Sequence, residues 1–201
     1  MFNLLKKNKW FLTIFAVFIF TRFLGLGQIY HQDEYRWATI VNPAFEESLG
    51  SHPPMNRLVL GLAGRVFGYD NLRVAPFVFS ILNLWLIYFI SLKLSGNKKT
   101  AYIASGLFTV NIYSLISNLQ IDIDGALLPF FVLACYYAYL NLSGREITKK
   151  WIFIFFAAVA GGLLTKLSFL LFIGALIIDQ LLGAYYSEDK AGLKIILKKA
   201  R

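Results

Sequence analysis

Long apolar runs separated by short polar stretches dominate the chain and predict helices that cross a membrane. The last apolar run contains 36 residues, and one helix of that length would far exceed a hydrocarbon core of about 30 Å. We therefore divide this run near Thr165–Lys166 into two spans, the first of them short. The chain is expected to be an all-α, polytopic membrane protein that forms one module over residues 1–201. About six spans are predicted, over residues 10–29, 74–94, 101–119, 126–142 and the two parts of 151–186.

The longest polar segment, residues 30–72, contains 43 residues and is too long for a simple turn. It predicts two short helices that lie at the outer membrane interface. The second covers about residues 55–67 and has one apolar and one arginine-containing face. The apolar face holds Leu58, Val59, Leu62, Ala63 and Val66, and the other face holds Arg57, Gly61, Arg65 and Gly68.

Composition supports a membrane protein and excludes several other classes. Charged residues make up only 15% of the chain, against roughly 25% in soluble proteins, and mean hydropathy is +0.60. The single cysteine, Cys135, excludes a disulfide scaffold, and an aromatic content of 17% excludes a disordered chain. The net charge of +9 comes without a zinc-ligand or recognition-helix motif, so we expect no nucleic-acid partner.

The distribution of basic residues predicts the orientation of the spans. Fourteen of the 20 lysines and arginines fall in clusters at residues 6–9, 93–99, 145–150 and 190–201. Because basic residues are retained on the cytoplasmic side, the N-terminus is expected inside, in the cytoplasmic (plasma) membrane. A basic start, a long apolar run and no small-residue cleavage site predict an uncleaved signal anchor.

Two polar motifs on the predicted outer side are candidates for chemistry. Asp33 and Glu34 follow the first span, and a carboxylate at the membrane surface can act as a general base toward a hydroxyl. The alternative is that Asp33 only caps the following helix. His52 precedes two prolines that favour the first turn of a helix. There it could bind a phosphate together with Arg57, or it could be an exposed imidazole at a helix start.

Charged residues near the outer ends of later spans form a second set of candidates. Asp122 and Asp124 lie between the third and fourth spans, where ionisable groups commonly serve function, although Asp124 could instead cap the fourth span. Lys166 interrupts the last apolar run, so it either binds an anion or extends to the outer head groups. Arg22 lies well inside the first span, and with Arg57 and Lys166 it could form a basic pocket for a lipid phosphate.

The candidate motifs follow one another in a characteristic order. A basic start and a span with an arginine precede Asp33-Glu34, which Tyr35 and Trp37 follow; His52-Pro53-Pro54-Met55 comes about 18 residues later. Val66-Phe67-Gly68-Tyr69 then leads into Arg73-Val74-Ala75-Pro76, and Asp124 and Thr165-Lys166 come last. This order resembles the N-terminal half of the GT-C superfamily of membrane glycosyltransferases. The nearest group is the family 39-type one, of protein O-mannosyltransferases and aminoarabinose-transferase-like enzymes, and the resemblance covers nearly all of the chain.

The resemblance implies an enzyme that transfers a hexosyl or pentosyl group from a polyprenyl-phosphate donor to a lipid or protein acceptor. Transfer would take place on the outer face of the membrane, with inversion at the anomeric carbon. Asp33 would be the catalytic base and Glu34 its support. His52 and Lys166 would lie near the carrier phosphate, where Arg22 would help to stabilise the leaving group.

Other positions correspond to the family less closely. Asp124 corresponds to the acid of the fourth span, with Asp122 as its neighbour, whereas Arg57 stands where relatives often carry an aromatic residue. Two acids near one phosphate could hold a divalent cation, but no motif demands a cofactor. Family members usually have more spans, so the chain is expected to be a truncated or minimal version, with a partner chain supplying the missing helices.

Two other functions compete with the glycosyltransferase. One is a non-catalytic subunit that binds polyprenyl phosphate or acts as a scaffold. The other is a small transporter, which charged residues in the central spans would favour; here most of the charged candidate residues lie at the outer ends of the spans. Substitution of Asp33 discriminates the first two, because it should abolish turnover in an enzyme and spare lipid binding.

Overall fold

A computed structural model describes residues 8–42, 54–143 and 148–186, and within these ranges the chain is helical and contains no β-strand. It divides into two compact units, Met1–Lys166 and Leu167–Arg201. A 3-10 turn covers Tyr69–Asn71 and a π-helical segment covers Ile123–Leu127. The α-helices, numbered in chain order, are α1 Lys9–Phe23, α2 Gln32–Val41, α3 Met55–Phe67, α4 Val74–Ser95, α5 Lys98–Val110, α6 Ile112–Ser117, α7 Leu128–Leu142, α8 Lys149–Thr165 and α9 Phe169–Tyr186.

A tight turn joins α4 to α5, and the two helices pack against each other. Gly96 follows α4 in the left-handed conformation, with φ +64°, which residues with a Cβ rarely adopt. Asn97 is the N-cap of α5, and its side-chain oxygen accepts a hydrogen bond from the Lys99 backbone N–H at 2.9 Å. The chain therefore reverses over Gly96 and Asn97.

The Asn8 side chain, at the start of α1, makes hydrogen bonds to α4 and α5. These contacts lie at the end of the first unit where the α4–α5 turn is found. The Asn8 side-chain oxygen accepts hydrogen bonds from the Tyr102 hydroxyl at 3.0 Å and from Lys98 Nζ at 3.3 Å. Its amide nitrogen donates to the Tyr88 hydroxyl at 3.5 Å. Phe11 packs on Tyr88 with 4.5 Å between ring centroids. We call this end the lysine end, because predicted cytoplasmic lysines lie there.

Small residues let α7 and α8 approach closely. A Cβ built on Gly161 would overlap the Phe131 ring, so an alanine there would force the ring to move. Thr165, the last residue of α8, is buried, and its hydroxyl donates to the Gly161 carbonyl at 2.7 Å. The close approach of α7 and α8 at Gly161 therefore lies one turn before the end of α8, where Lys166 follows.

Two helical stretches in the described part of the chain, Tyr69–Ser95 and Asp124–Leu142, are long and apolar enough to cross a membrane. Phe169–Gly183, within the second unit, is a shorter apolar helix. Large apolar side chains are exposed along the helices, as at Phe153 and Leu171, which are 75% and 79% accessible. Such exposure is typical of a surface that contacts lipid or another protein. Six crossings remain a prediction.

Two of the predicted spans differ from the observed helices. The first was expected to reach residue 29, but α1 ends at Phe23 and the chain then turns. The third is divided at Asn111, which is extended and caps α6 by accepting a hydrogen bond from the Ser114 N–H at 3.1 Å. Side-chain hydrogen bonding by asparagine competes with the helical backbone, which explains the interruption.

The two short helices expected within residues 30–72 are α2 and α3. The face of α3 that packs on α2, α4 and α8 differs from the predicted apolar face. The buried residues are Asn56, Leu60, Ala63 and Gly64, whereas Leu58, Leu62 and Val66 are exposed. The prediction assumed two faces, but α3 has an exposed apolar stripe in addition to its protein-facing side and its arginines. The location of both helices at a membrane interface remains a prediction.

Candidate active site

Glu34 and Arg73 form a bidentate ion pair at the end of the first unit opposite the lysine end; we call it the acidic end. Arg73 Nη2 lies 2.5 Å from Glu34 Oε2, and Arg73 Nε lies 3.1 Å from Glu34 Oε1. Glu34 also accepts hydrogen bonds from the backbone N–H groups of His31 at 2.8 Å and of Ile121 at 3.0 Å. One carboxylate therefore joins α2, the start of α4 and the segment before the π-helix.

The guanidinium of Arg73 also organises the turn that follows α1. It donates to the carbonyls of Gly25 at 3.2 Å, Gln28 at 2.7 Å and Ile29 at 3.1 Å, and it lies 5.4 Å from the centre of the Tyr30 ring. The backbone hydrogen bonds within the turn include the one from the Gln28 N–H to the Gly25 carbonyl at 3.4 Å. The Arg73 contacts add partners for the carbonyls of Gln28 and Ile29.

The environment of Glu34 fits it for positioning rather than for proton transfer. Burial acts to raise the pKa of Glu34, but the hydrogen bonds from Arg73 and from the His31 and Ile121 N–H groups outweigh burial and hold the pKa below its usual value. At neutral pH the group is a carboxylate, and both of its oxygens accept hydrogen bonds within the protein.

Asp33 has a different environment although it is the neighbouring residue. It is exposed, while Glu34 is only 2% accessible. The N-cap of α2 is His31, and Asp33 lies in the first turn, so the alternative that Asp33 caps this helix is wrong. A carboxylate in a first turn still interacts favourably with the helix dipole. Asp33 is accessible to a substrate at the acidic end.

Asp124 and Lys166 form a second ion pair, between two residues that are separate candidates in the sequence. Lys166 Nζ lies 2.6 Å from Asp124 Oδ2, and the side chains are 42% and 52% exposed. Lys166 follows the last residue of α8 with an extended backbone, and its N–H donates to the Gly162 carbonyl at 2.9 Å. This half-exposed pair contrasts with the shielded Glu34–Arg73 pair, whose side chains are 3% and 9% exposed.

The π-helical segment fixes the backbone at Asp124. The Asn83 side chain, buried within α4, donates to the Ala126 carbonyl at 2.9 Å. Gly125 lies so close to the backbone of Ser117 that a Cβ would overlap the Ser117 carbonyl oxygen. Segments of π-helix occur frequently at functional sites. The segment replaces the regular helix start expected if Asp124 had capped the fourth span.

Asp122 directly precedes the π-helical segment. It is half-buried and lines a small cavity with Asn56 of α3 and Pro76 of α4. The cavity holds about 10 Å³, close to the minimum volume for one water molecule. Asp122 therefore faces the packing between α3 and α4, whereas Asp124 faces solvent.

Arg22 is fully buried and binds the C-terminal end of α5. Its Nη1 donates to the Thr109 carbonyl at 2.6 Å, its Nη2 donates to the Phe108 carbonyl at 3.3 Å, and the guanidinium lies 4.1 Å from the centre of the Phe18 ring. The last carbonyls of a helix lack partners within the helix, and Arg22 supplies them. The sequence predicted that Arg22 binds phosphate; because its guanidinium is buried against α5, the reaction proposed below gives it no contact with the phosphate.

The remaining two candidates for phosphate binding are Arg57 and His52. Arg57 is exposed in the first turn of α3. His52 lies outside the described residues. Their assignment to phosphate binding remains a prediction.

A cavity of about 820 Å³ opens beside the Glu34–Arg73 pair. Its polar lining includes Gln28, His31 and Gln120, and its apolar lining includes Leu24 and Ile116. This volume falls in the range of small-molecule sites, about 300–1,000 Å³. The cavity borders the residue that follows Asp33.

The sequence analysis assigned no role to Arg73 or Asn83, which hold the backbone around the candidate site through their hydrogen bonds. Each carried a signal. Arg73 directly precedes a long apolar helix, where a positive charge opposes the helix dipole and so requires an acidic partner. Asn83 is a polar residue inside a 22-residue apolar helix and requires a hydrogen-bond partner. Neither signal identifies the partner.

In the described ranges, no group of three or more histidine, cysteine, aspartate or glutamate side chains is arranged to hold a metal ion. The divalent cation suggested by the acids of the sequence therefore has no assembled ligand set among these residues.

Comparison with known proteins identifies one family. A family model described as dolichyl-phosphate-mannose-protein mannosyltransferase matches residues 51–194. The matched part contains Arg73, Asp124 and Lys166, and Asp33 and Glu34 precede it. No curated protein and no solved structure gives a significant match to the chain.

Proposed function

Because the chain belongs to the dolichyl-phosphate-mannose-protein mannosyltransferase family, a family of membrane-embedded glycosyltransferases, we propose that it transfers a sugar from a polyprenyl-phosphate donor to an acceptor hydroxyl on the outer face of the membrane. The family description favours a mannosyl group and a protein acceptor. The observation that carries the proposal is one run of contacts at the acidic end. Glu34 binds the backbone of Ile121, and Asp124, in the next turn of chain, binds Lys166.

This run of contacts places an accessible carboxylate and an accessible ammonium group at the same end of the bundle. Asp33 directly precedes Glu34, and the ion pair with Arg73 holds Glu34 in place. Lys166 follows Thr165, the buried last residue of α8. A glycosyl transfer needs a base for the acceptor and a cation for the leaving group, and the two side chains supply these roles.

In the proposed reaction the acceptor oxygen attacks the anomeric carbon from the face opposite the phosphate. The bond between the anomeric carbon and the phosphate oxygen breaks as the new glycosidic bond forms, and the configuration inverts. The acceptor proton passes to the Asp33 carboxylate, and the phosphate keeps the bonding electron pair. Lys166 stabilises the negative charge that develops on the phosphate.

The 820 Å³ cavity is the place we propose for the acceptor. It lies beside Glu34, and its glutamine and histidine side chains can donate hydrogen bonds to a polar acceptor. Its apolar wall suits the side chains or lipid that flank the hydroxyl group.

Transfer of radiolabelled mannose from a polyprenyl-phosphate donor to a serine-containing peptide tests the proposal, with the full chain purified in lipid. Asp33→Asn should lower the transfer rate about 100-fold or more, as expected for loss of a general base. Asp70→Asn removes an exposed acid at the same end and should leave the rate within about twofold of the wild type.

Two outcomes would contradict the proposal. Full transfer by Asp33→Asn would exclude Asp33 as the base. Absence of transfer by the wild-type chain, with the donor still bound, would favour the non-catalytic polyprenyl-phosphate-binding subunit.

A further inference from the structure

We propose that Asp124 competes with the donor phosphate for Lys166 and thereby sets the affinity of the chain for phosphate-bearing lipids. In the absence of lipid, Asp124 holds the ammonium group; when lipid binds, the phosphate takes its place. This inference rests on the proposed function, because it takes Lys166 as the phosphate ligand. It also changes the role of Asp124 from a group that binds substrate to a group that opposes substrate binding.

The geometry of the pair suits an exchange of partners. Lys166 Nζ and Asp124 Oδ2 are 2.6 Å apart, and both side chains are about half exposed. An exposed ion pair contributes little to stability, since water solvates both charges after separation. The donor phosphodiester carries one charge on two terminal oxygens, as the carboxylate does, so the two groups compete for Lys166 on similar terms. A polyprenyl monophosphate has three terminal oxygens and nearly two charges at neutral pH, so it displaces Asp124 more readily.

The backbones on both sides are fixed, so the exchange requires only side-chain rotation. Asp124 belongs to the π-helical segment, which the Asn83 hydrogen bond at 2.9 Å holds on α4. Lys166 is anchored through its N–H bond to Gly162 and through the buried Thr165. Among the described residues, the Glu34–Arg73 pair has the opposite character, because it is shielded from solvent and its oxygens have further backbone partners.

The competition has a chemical use in the proposed reaction. The donor is a phosphodiester with one negative charge, whereas the product, a polyprenyl monophosphate, carries nearly two at neutral pH. Lys166 therefore binds the product more strongly than the donor. Return of Asp124 to Lys166 offsets part of this attraction and favours release of the product.

Binding of a short-chain polyprenyl monophosphate to the full chain, in nanodiscs of uncharged phosphatidylcholine, tests the proposal. Only protein in which Lys166 is not paired with Asp124 can bind the monophosphate, so the pair lowers the apparent affinity for this lipid. Asp124→Asn removes the pair and should bind the monophosphate about two- to fivefold more tightly than the wild type. Asp124→Ser should bind with the same increased affinity, and Asp124→Glu, which keeps the carboxylate, should bind like the wild type.

Two further variants separate competition from general electrostatics. Lys166→Gln should bind the monophosphate at least about fivefold more weakly than the wild type. The double variant Asp124→Asn/Lys166→Gln should have the same affinity as Lys166→Gln, because no ammonium group is left for the Asp124 substitution to release. Asp70→Asn removes an equal charge at the same end without touching Lys166. It should change the affinity by less than half the effect of Asp124→Asn.

Each other result overturns the inference in a distinguishable way. Weaker or unchanged binding by the neutral Asp124 variants would show that Asp124 does not compete, while the phosphate site at Lys166 would stand. Equal tightening by Asp70→Asn would assign the effect to overall charge. Wild-type binding by Lys166→Gln would remove the phosphate site and the competition together, and sugar transfer that depends on Asp33 would still support the enzyme.

Discussion

Glu34 and Arg73, 39 residues apart in the chain, meet at 2.5 Å and 3.1 Å in a shielded bidentate ion pair. The pair joins the turn that follows α1, the start of α4 and the chain before the π-helix through one carboxylate and one guanidinium. Asp33, the proposed base, precedes Glu34, and the segment with Asp124 follows the Glu34–Ile121 hydrogen bond. The pair therefore sets the relative position of the proposed catalytic groups without contacting substrate itself.

Glu34→Gln should destabilise the fold. The substitution leaves the Arg73 guanidinium buried without its ion partner, and breaking a buried pair costs about 3–5 kcal/mol. Thermal unfolding can be followed with a thiol-reactive dye, since the single cysteine, Cys135, is buried in the folded chain. The matched control is Asp33→Asn, which makes the same chemical change at the adjacent exposed acid and should shift the midpoint little. Equal effects of the two substitutions would contradict the structural role of Glu34.

Acid should weaken the fold through Glu34. Its pKa is held below the usual value in the folded chain, so the pair contributes stability that is fully present above the unfolded pKa, about 4.3. That contribution is lost as the pH falls below this value and through the lower folded pKa. Midpoints of thermal unfolding, followed by circular dichroism because a thiol dye does not react in acid, should fall more steeply between pH 7 and pH 3 for the wild type than for Glu34→Gln, which has no carboxylate to protonate at this position. Parallel pH profiles would show that other acids govern the acid sensitivity.

Gly125→Ala should disturb the π-helical segment. The new Cβ would overlap the Ser117 carbonyl oxygen, and a backbone atom cannot move aside as a side-chain tip can. We expect a loss of about 1–3 kcal/mol, typical of overpacking, together with a change in phosphate affinity because Asp124 moves. Gly106→Ala, where the Cβ would meet open space, should be neutral or stabilise the helix by up to about 1 kcal/mol. Dye-monitored unfolding of both variants checks this difference, and similar midpoints would refute the close approach at Gly125.

Arg22→Gln should destabilise the packing of α1 on α5 and spare phosphate binding. It removes hydrogen bonds from a charged group to the Phe108 and Thr109 carbonyls, which are worth about 1.5–3 kcal/mol each. Binding of polyprenyl monophosphate, measured well below the unfolding midpoint, should stay within about twofold of the wild type, because the guanidinium is buried against α5. A tenfold loss of affinity in the folded variant would restore Arg22 to the phosphate site.

The sequence by itself determined the helical character of this protein, most helix positions and the identity of the charged candidates. Apolar runs of the right length leave few other structures available in a membrane, and the break at Thr165–Lys166 follows from length alone. The observed helices α4, α7, α8 and α9 lie close to the predicted spans. A charged residue in such an apolar chain is conspicuous, so its position alone makes Asp33, Glu34, Asp124 and Lys166 candidates.

Only the tertiary structure decided which of these residues meet and which are exposed. Asp33 and Glu34 are adjacent acids with similar chemistry, and their different exposure depends on Arg73 and Ile121, which lie 39 and 87 residues away from Glu34. The Asp124–Lys166 pair depends on the packing of α7 on α8, and the burial of Arg22 depends on where α5 ends. Hydropathy and helical periodicity indicate which residues of one segment are apolar and which face of its helix they share. Contacts between distant segments depend on side-chain packing among several helices at once, which no local pattern specifies.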